Sequence, residues 1–293
     1  MELILSRQEQ VTIVVDSSSC IPRKLQKLLG IIIVPHTVVI ESKTYRDGVD
    51  INPTAFYRTL QLDNKTVTTT GPNPKDFLAA FNHAYAKSSQ VLCITVSRKF
   101  SSSTYQSANI AARMAKKLHP SLKISVVDSQ GAAGAHGFIA LEAARYTMME
   151  TRLQQIVSHV ESMIPKVQLV AFLDTLHYLV KSGRITKIKA WATTLFRVKP
   201  LMELSQGVPH LISKPRSRSK AIHQLLSIVA ERTGGKPVHV NVMHADSPYD
   251  AKFLMKHLQS NLNCKEAFIT EFTPVMGAHT GPGLVGVAFY SND

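Results

Sequence analysis

Cysteine is scarce: Cys20, Cys93 and Cys264 are odd in number and far apart in a chain of 293 residues. On that count no disulfide framework is expected, and a reducing cytoplasm is the expected location. Long hydrophobic runs are missing as well. Crossing a bilayer takes ~20 apolar residues, and the best stretch, Leu28 to Ile40, is broken by Pro35 and His36. The opening MELILSRQEQ turns polar at once and has no cleavage site, so no secretory signal is expected. Trp191 is the one tryptophan, and neither it nor Tyr105 belongs to an aromatic series that would stack bases. The usual catalytic signatures are absent too. There is no Gly-x-Gly-x-x-Gly, no phosphate-binding Gly-x4-Gly-Lys-Ser/Thr and no Gly-x-Ser-x-Gly elbow. The twelve histidines show no His-Glu-x-x-His spacing and the cysteines no Cys-x-x-Cys, so no metal site is expected.

Acids are few beside bases, 20 against 34, which leaves a net charge of +14. That field favours anionic partners, whether nucleic acid, a membrane surface, an acidic protein or an anionic ligand. The excess is concentrated between Lys181 and Lys220, where ten Lys or Arg meet one acid, Glu203. A solvated basic face explains it equally well.

Apolar residues make up 44% of the chain, enough for sizeable cores. In the first half, short buried strands (Val11–Val15, Ile31–Ile40 with a proline inside, Val91–Val96, Lys123–Val127) alternate with helical stretches at Pro53–Leu62, Pro74–Lys87 and Thr104–Leu118. Pro53 and Pro74 suit a first helical turn. This alternation predicts a mostly parallel sheet with helices on both faces. Long helices over Ala135–Met149 and Leu153–Ile164 follow, and a domain boundary is expected near Glu150–Arg152. The second half changes character. A strand at Val167–Phe172, helices at Asp174–Ser182 and Lys187–Arg197, and a hairpin of Leu201–Leu204 with Val208–Ile212 come first. A helix at Ser219–Arg232, a strand at Pro237–Met243, a helix at Pro248–Leu262 and a strand at Leu284–Tyr290 complete it. The pattern predicts a smaller, mixed-sheet α/β domain. The expected division is 1–151 and 152–293.

Three loops are candidates for chemistry. Thr66-Val-Thr-Thr-Thr-Gly-Pro-Asn-Pro74 and the Ser97–Ala108 segment each lead from the first half's strands into a helix, and both are rich in hydroxyls. Hydroxyls beside free N–H groups at helix starts form an anion cradle, and strand-to-helix turns are the expected ligand site of an open α/β sheet. Simple N-capping explains such residues as well. The third loop, Gly277-Ala-His-Thr-Gly-Pro-Gly-Leu284, is shaped by glycines and offers His279 and Thr280 to a cleft. Asp16, Asp47, Asp50 and Asp174 are either a dispersed carboxylate set or groups that orient loops.

At these residues the chain resembles the DegV family of bacterial fatty-acid-binding proteins. Asp16-Ser-Ser-Ser-Cys-Ile-Pro22 is similar to the family's Asp-Ser-Thr-x-Asp-Leu-Pro, and Tyr45-Arg-Asp-Gly-Val-Asp-Ile51 to its Tyr-x-Asp-Gly-Val-Asp-Ile. Thr69-Thr-Gly-Pro-Asn-Pro74 resembles Thr-Ser-Gln-Pro-Ser-Pro, and Ser102-Ser-Thr-Tyr-Gln-Ser-Ala108 resembles Leu-Ser-Gly-Thr-Tyr-Gln-Ser-Ala. Leu173-Asp-Thr-Leu-His-Tyr-Leu179, Gly183-Arg-Ile185, Lys199-Pro-Leu201, Arg216 and His279-Thr-Gly-Pro-Gly283 follow in family order.

The resemblance implies a three-layer α/β/α domain plus a smaller two-layer mixed-sheet domain. It also implies a non-enzymatic carrier of a long-chain fatty acid such as palmitate, with no other cofactor. The carboxylate would be held by Thr69, helped by Thr70, by Ser101 or Ser102, and by His279. Arg216 would help dock an ATP-dependent, dihydroxyacetone-kinase-like subunit that phosphorylates the acyl carboxylate. Two departures stand out: Gly71 replaces a usual Gln, and Ser103 a usual Gly, which would be strained if that position needs φ > 0. The choice among Ser101, Ser102 and Ser103 stays open. A nucleic-acid-binding regulator is the alternative suggested by charge, without a helix-turn-helix or zinc-finger signature. An acyl-ester hydrolase lacks a triad pattern.

Overall fold

The computed structural model describes residues 10–62, 66–150, 152–183 and 198–291. The helix expected at 187–197 lies outside the described residues. β1 (Val11–Asp16), β2 (Ile32–Val34), β6 (Gln90–Thr95) and β7 (Lys123–Asp128) form an all-parallel sheet in the order β2-β1-β6-β7. Its strands are β-branched on both faces because helices cover both. α3 (Pro74–Tyr85) and α4 (Ser102–Leu118) pack on one face, and α5 (Ala133–Tyr146) and α6 (Leu153–Met163) on the other. α4 turns Ala108, Ala111, Ala112 and Ala115 inward, small residues that bring it close to the sheet.

The apolar run at 31–40 is not one strand. Pro35 cannot donate to a ladder, and the chain bends there. β2 stays in the parallel sheet, while β3 (Thr37–Ile40) pairs with β4 (Lys43–Arg46) and β5 (Val67–Thr70) in a separate antiparallel sheet. His36 sits buried at the corner between the two sheets. α1 (Arg23–Leu28) and α2 (Pro53–Leu62) complete the first half.

The second half supplies a six-stranded mixed sheet in the order β10-β9-β8-β13-β11-β12. Its strands are β8 (Gln168–Phe172), β9 (Leu201–Ser205), β10 (Val208–Ser213), β11 (Val238–His244), β12 (Cys264–Glu271) and β13 (Val285–Ser291). α7 (His177–Lys181) follows β8, and α8 (Arg218–Thr233) and α9 (Pro248–Asn261) cover the outer face. Two elements here depart from expectation. β12 carries Lys265, Glu266 and Glu271, charges suited to an edge strand, which obscured its alternation. The Gly277 loop is in fact a short helix, α10 (Pro274–Thr280), begun by Pro274.

α5 lies between the two large sheets, against β1 and β6 on one side and β8, β11 and β13 on the other. It is buried all round because small residues permit it. A Cβ on Gly134 would lie 2.6 Å from Met243 Sδ, and one on Gly137 would lie 2.6 Å from the Ser19 carbonyl. One continuous apolar core therefore runs from the parallel sheet through α5 to the inner face of the mixed sheet.

Candidate functional site

Side chains alternate across a strand, so β8 divides its residues between two environments. Val170 and Phe172 enter the core beneath α8 and α9. Leu169, Ala171 and Leu173 point the other way and, with Met202 and Leu204 of β9, line a cavity of about 1020 Å³, mouth included. Ala132 and Ala133 at the start of α5, with Val96 and Phe100, form part of its opposite side. Nearly all of this lining is apolar. The polar residues of the lining come from separate elements: Thr69, Ser101 and His279, with Ser18, His36 and Thr280, and Glu203, whose carboxylate is paired with Arg232.

Thr69 faces inward because β5 alternates. It pairs with the fully buried Val38, while Thr68 and Thr70 face solvent. Its Oγ1 lies 2.9 Å from Nε2 of His279 on α10. Gly277, one turn before Gly281, leaves room for the Tyr57 ring; a Cβ there would lie 2.5 Å from the Tyr57 hydroxyl. Ser101 occupies the N-cap position of α4, yet its hydroxyl makes no capping bond. It lies 2.8 Å from Thr104 Oγ1 and 3.3 Å from Ser103 Oγ. Ser102 is exposed in the first turn. Neither hydroxyl segment is explained by capping, since α3 is capped instead by Asn73 in a reciprocal capping box with Asp76.

The structure thus brings Thr69, Ser101 and His279 to one cavity and leaves Thr70 and Ser102 on outer surfaces. Ser103 is helical and is absent from the residues with positive φ, so no backbone strain arises from replacing glycine there. Gly71 has its own reason. A Cβ at that position would lie 2.4 Å from Thr104 Oγ1 and 3.4 Å from Ser101 Oγ, so only glycine leaves the hydroxyl group intact. Arg216 is exposed just before α8 and does not touch the cavity.

Sequence reasoning missed three contributors. His36 is buried beside the cavity, with Nε2 3.5 Å from Thr104 Oγ1. Its signal was a histidine directly after the proline that ends an apolar run. Thr104 lies within a quoted motif but received no role. Arg218 was passed over in favour of Arg216. Its guanidinium donates to Asp174 Oδ1 and the Gly283 carbonyl, each at 2.9 Å, and to Asp250. It also lies over the Phe172 ring. This ties down the turn after α10, where Gly283 has φ +91°.

The four acids all orient backbone or bases. Burial alone would raise the Asp16 carboxyl, but His136 and His36, a bond from Ser18 and the Val96 N–H hold it below its ordinary value. Asp47 accepts from the Ser17 hydroxyl at 2.5 Å and from the Val275 N–H at 3.1 Å, which ties α10 to the first half. Burial outweighs those bonds and pushes Asp47 up to about 6. Asp50 pairs with Arg46 at the surface. Burial would raise Asp174 also, but Lys199 and Arg218 bring it below the usual range. Among the described residues, no three His, Cys, Asp or Glu gather as metal ligands, and no helix is long and apolar enough to cross a membrane.

Comparison with known proteins agrees with this architecture. A DegV domain-containing protein of Caldanaerobacter subterraneus subsp. tengcongensis is 33% identical over 288 residues, covering 96% of this chain and 99% of that one. The solved fatty-acid-binding DegV family protein of Thermus thermophilus superposes with a TM-score of 0.88 at 28% identity, covering 97% of this chain and 100% of that one. DegV of Bacillus subtilis, solved as a fatty acid binding protein, gives 0.86 at 26% identity, covering 97% and 99%. The family model described as "Uncharacterised protein, DegV family" matches residues 10–292, and the chain belongs to the DegV family.

Proposed function

We propose that this protein is a carrier that binds one long-chain fatty acid, palmitate or a similar acid, with the tail in the cavity along β8 and β9. The carboxylate is held by Thr69, Ser101 and His279. The observation that carries this reading is an apolar cavity to which three hydrogen-bonding side chains, from β5, the start of α4 and α10, are all directed. None of them is used as a helix cap.

The energetics favour a long chain. From Leu173 to Leu169 the β8 floor runs ~14 Å at ~3.4 Å per residue. An extended backbone advances ~3.6 Å per three bonds, so that floor alone accommodates roughly a dozen carbon–carbon bonds. Each buried methylene contributes about 0.8 kcal/mol. Burying the carboxylate would offset much of that gain unless donors replace its water. Hydroxyls and an imidazole N–H supply those donors without a fixed neutralising base at bonding distance. The head group then remains a nucleophile for a phosphoryl donor.

In this reading residues 1–151 present the head group through Thr69 and Ser101, and 152–293 cover the tail and add His279 to the head-group site. The chain itself is not an enzyme. An ATP-dependent, dihydroxyacetone-kinase-like subunit forms the acyl phosphate, and the basic surface that includes Arg216 receives that partner. Lipid extraction from the purified protein, followed by mass spectrometry, tests the core of the proposal. One equivalent of long-chain fatty acid per chain is the expected result. A protein that emerges empty and takes up no fatty acid on incubation would overturn it.

A further inference from the structure

His36 lines the cavity but does not belong to the set of head-group ligands proposed above. Its ring is placed between two kinds of neighbour. On the Nδ1 side are Ser17 Oγ at 3.4 Å and Asp16 Oδ1 at 3.7 Å. On the Nε2 side is Thr104 Oγ1 at 3.5 Å, which in turn lies 2.8 Å from Ser101 Oγ. A chain of polar contacts therefore runs from His36 through Thr104 to Ser101, which lines the cavity, with the Asp16 carboxylate beside Nδ1 at ion-pair distance. His36 is 4% exposed, Thr104 0% and Ser101 8%, so the chain is shielded from solvent.

Proton counting gives this chain a direction. Ser17 has one hydroxyl proton, and it goes to Asp47 Oδ2 at 2.5 Å. Burial pushes Asp47 up to about 6, so above neutral pH it is mainly ionised and accepts the Ser17 hydrogen bond. Ser17 also accepts from the His36 main-chain N–H at 3.1 Å. The Nδ1 neighbours Ser17 Oγ and Asp16 Oδ1 thus both act as acceptors, and Nδ1 carries a proton toward them. In the neutral ring Nε2 is then an acceptor. Thr104 donates to it, Ser101 donates to Thr104, and Ser101 shows the cavity its lone pairs. In the imidazolium form every donor reverses. Nε2–H donates to Thr104, Thr104 donates to Ser101, and the Ser101 O–H is freed from Thr104 to serve a cavity ligand in competition with Ser103 Oγ at 3.3 Å.

We propose that His36 is a positioning residue that sets the direction of this hydroxyl chain, so that a carboxylate head is gripped well only when both His36 ring nitrogens carry protons. The inference rests on the fatty-acid reading of the cavity. Binding is then coupled to proton uptake at a residue that does not touch the ligand's carboxylate. The titratable groups around His36 are Asp16 at the end of β1, Asp47 through Ser17, and His136 of α5. His136 meets Ser18 Oγ at 3.5 Å and the Ile94 carbonyl at 3.1 Å. His279 lies beyond Thr69. Both acids favour the charged imidazole.

The test uses delipidated full-length protein and cis-parinaric acid, a fluorescent long-chain fatty acid, kept below its aggregation concentration, between pH 6.5 and 9. Wild-type affinity is expected to fall with pH, by up to tenfold per unit where His36 loses its proton. The total loss is roughly ten- to a hundredfold, the range for a hydrogen bond to a charged group. Calorimetry in buffers of different ionisation enthalpy should show a fraction of a proton taken up on binding. His36→Gln keeps a neutral amide donor and should flatten the pH profile. Thr104→Val cuts the chain while leaving His36 in place, so it gives the same flattening should His36→Gln fold poorly. A wild-type profile that is already flat, or a His36→Gln profile with the wild-type slope, overturns the inference while leaving fatty-acid binding intact. A wild type that binds no probe at all removes the cavity reading and this inference with it.

Discussion

Asp47 offers a prediction whose sign and size follow from its surroundings. Asp47 is 2% exposed, and its carboxylate joins Ser17 to the N–H of Val275. Burial raises its pKa to about 6, against ~3.9 in an unfolded chain. A carboxyl raised on folding contributes stability that is complete below the unfolded value. That contribution is lost as pH climbs through the folded value. Two units correspond to about 3 kcal/mol. The charged form at pH 7 is therefore carried by the fold at a cost of that order. Asp47→Asn keeps a carbonyl for Val275 and an amide for Ser17 but has no charge to bury. The unfolding free energy of the variant minus that of wild type should therefore rise by about 2 kcal/mol between pH 4, where the unfolded carboxyl is already half ionised, and pH 7. Asp16, whose carboxyl is shifted the opposite way, loses its stabilising contribution as pH falls, but it does so in both proteins and cancels from the difference. Urea unfolding at closely spaced pH values measures this, with equal slopes as the check on the denatured state. A difference that stays constant from pH 4 to 7 would refute the assignment of a buried, uncompensated charge to Asp47.

Four further outcomes are expected. Thr69→Ala with Ser101→Ala should lower fatty-acid affinity by roughly thirty- to a hundred-and-fiftyfold, about 1–1.5 kcal/mol per donor, as read by probe titration. Ala171→Phe should fill the middle of the cavity, so that lipid extraction from a folded protein, checked by circular dichroism, recovers little fatty acid, at a stability cost of about 1–3 kcal/mol. Gly71→Ala should displace Thr104 from Ser101 and weaken binding of the probe while leaving apolar tail contacts unchanged, because its Cβ meets Thr104 Oγ1. Arg216→Glu should weaken association with an acyl-phosphorylating kinase in a salt-dependent way without emptying the cavity, since Arg216 is exposed and remote from its lining.

Much of the scaffold is readable because its signals are local. The buried strands at 11–16, 90–95 and 123–128 are β-branched runs bounded by turns, and the helices after Pro53, Pro74 and Pro248 begin where proline is favoured. The hairpin at 201–213 is marked by Gln206-Gly207, both with positive φ. What was hidden depends on partners distant in sequence. Val67-Thr-Thr-Thr70 reads as a hydroxyl loop until β3 is there to pair with it, although three threonines after a valine carry strand propensity. Helix α10 contains a glycine that makes sense only beside the Tyr57 ring. Thr69 and His279 are separated by 210 residues, so motifs can nominate both but not their contact. His36 and Arg218 show the same limit, since the meaning of each comes from groups supplied by other elements.

The central helix at 133–146 imposes a constraint on how cargo moves. Both large sheets treat it as core, so prising them apart would strip apolar cover from an entire helix at once. A book-like opening of the molecule is therefore the costliest route to the cavity. Under the proposed function, a ligand would then exchange more cheaply at the rim, where the Gly207 carbonyl accepts from Ser97 Oγ at 3.1 Å, than through the seam between the sheets.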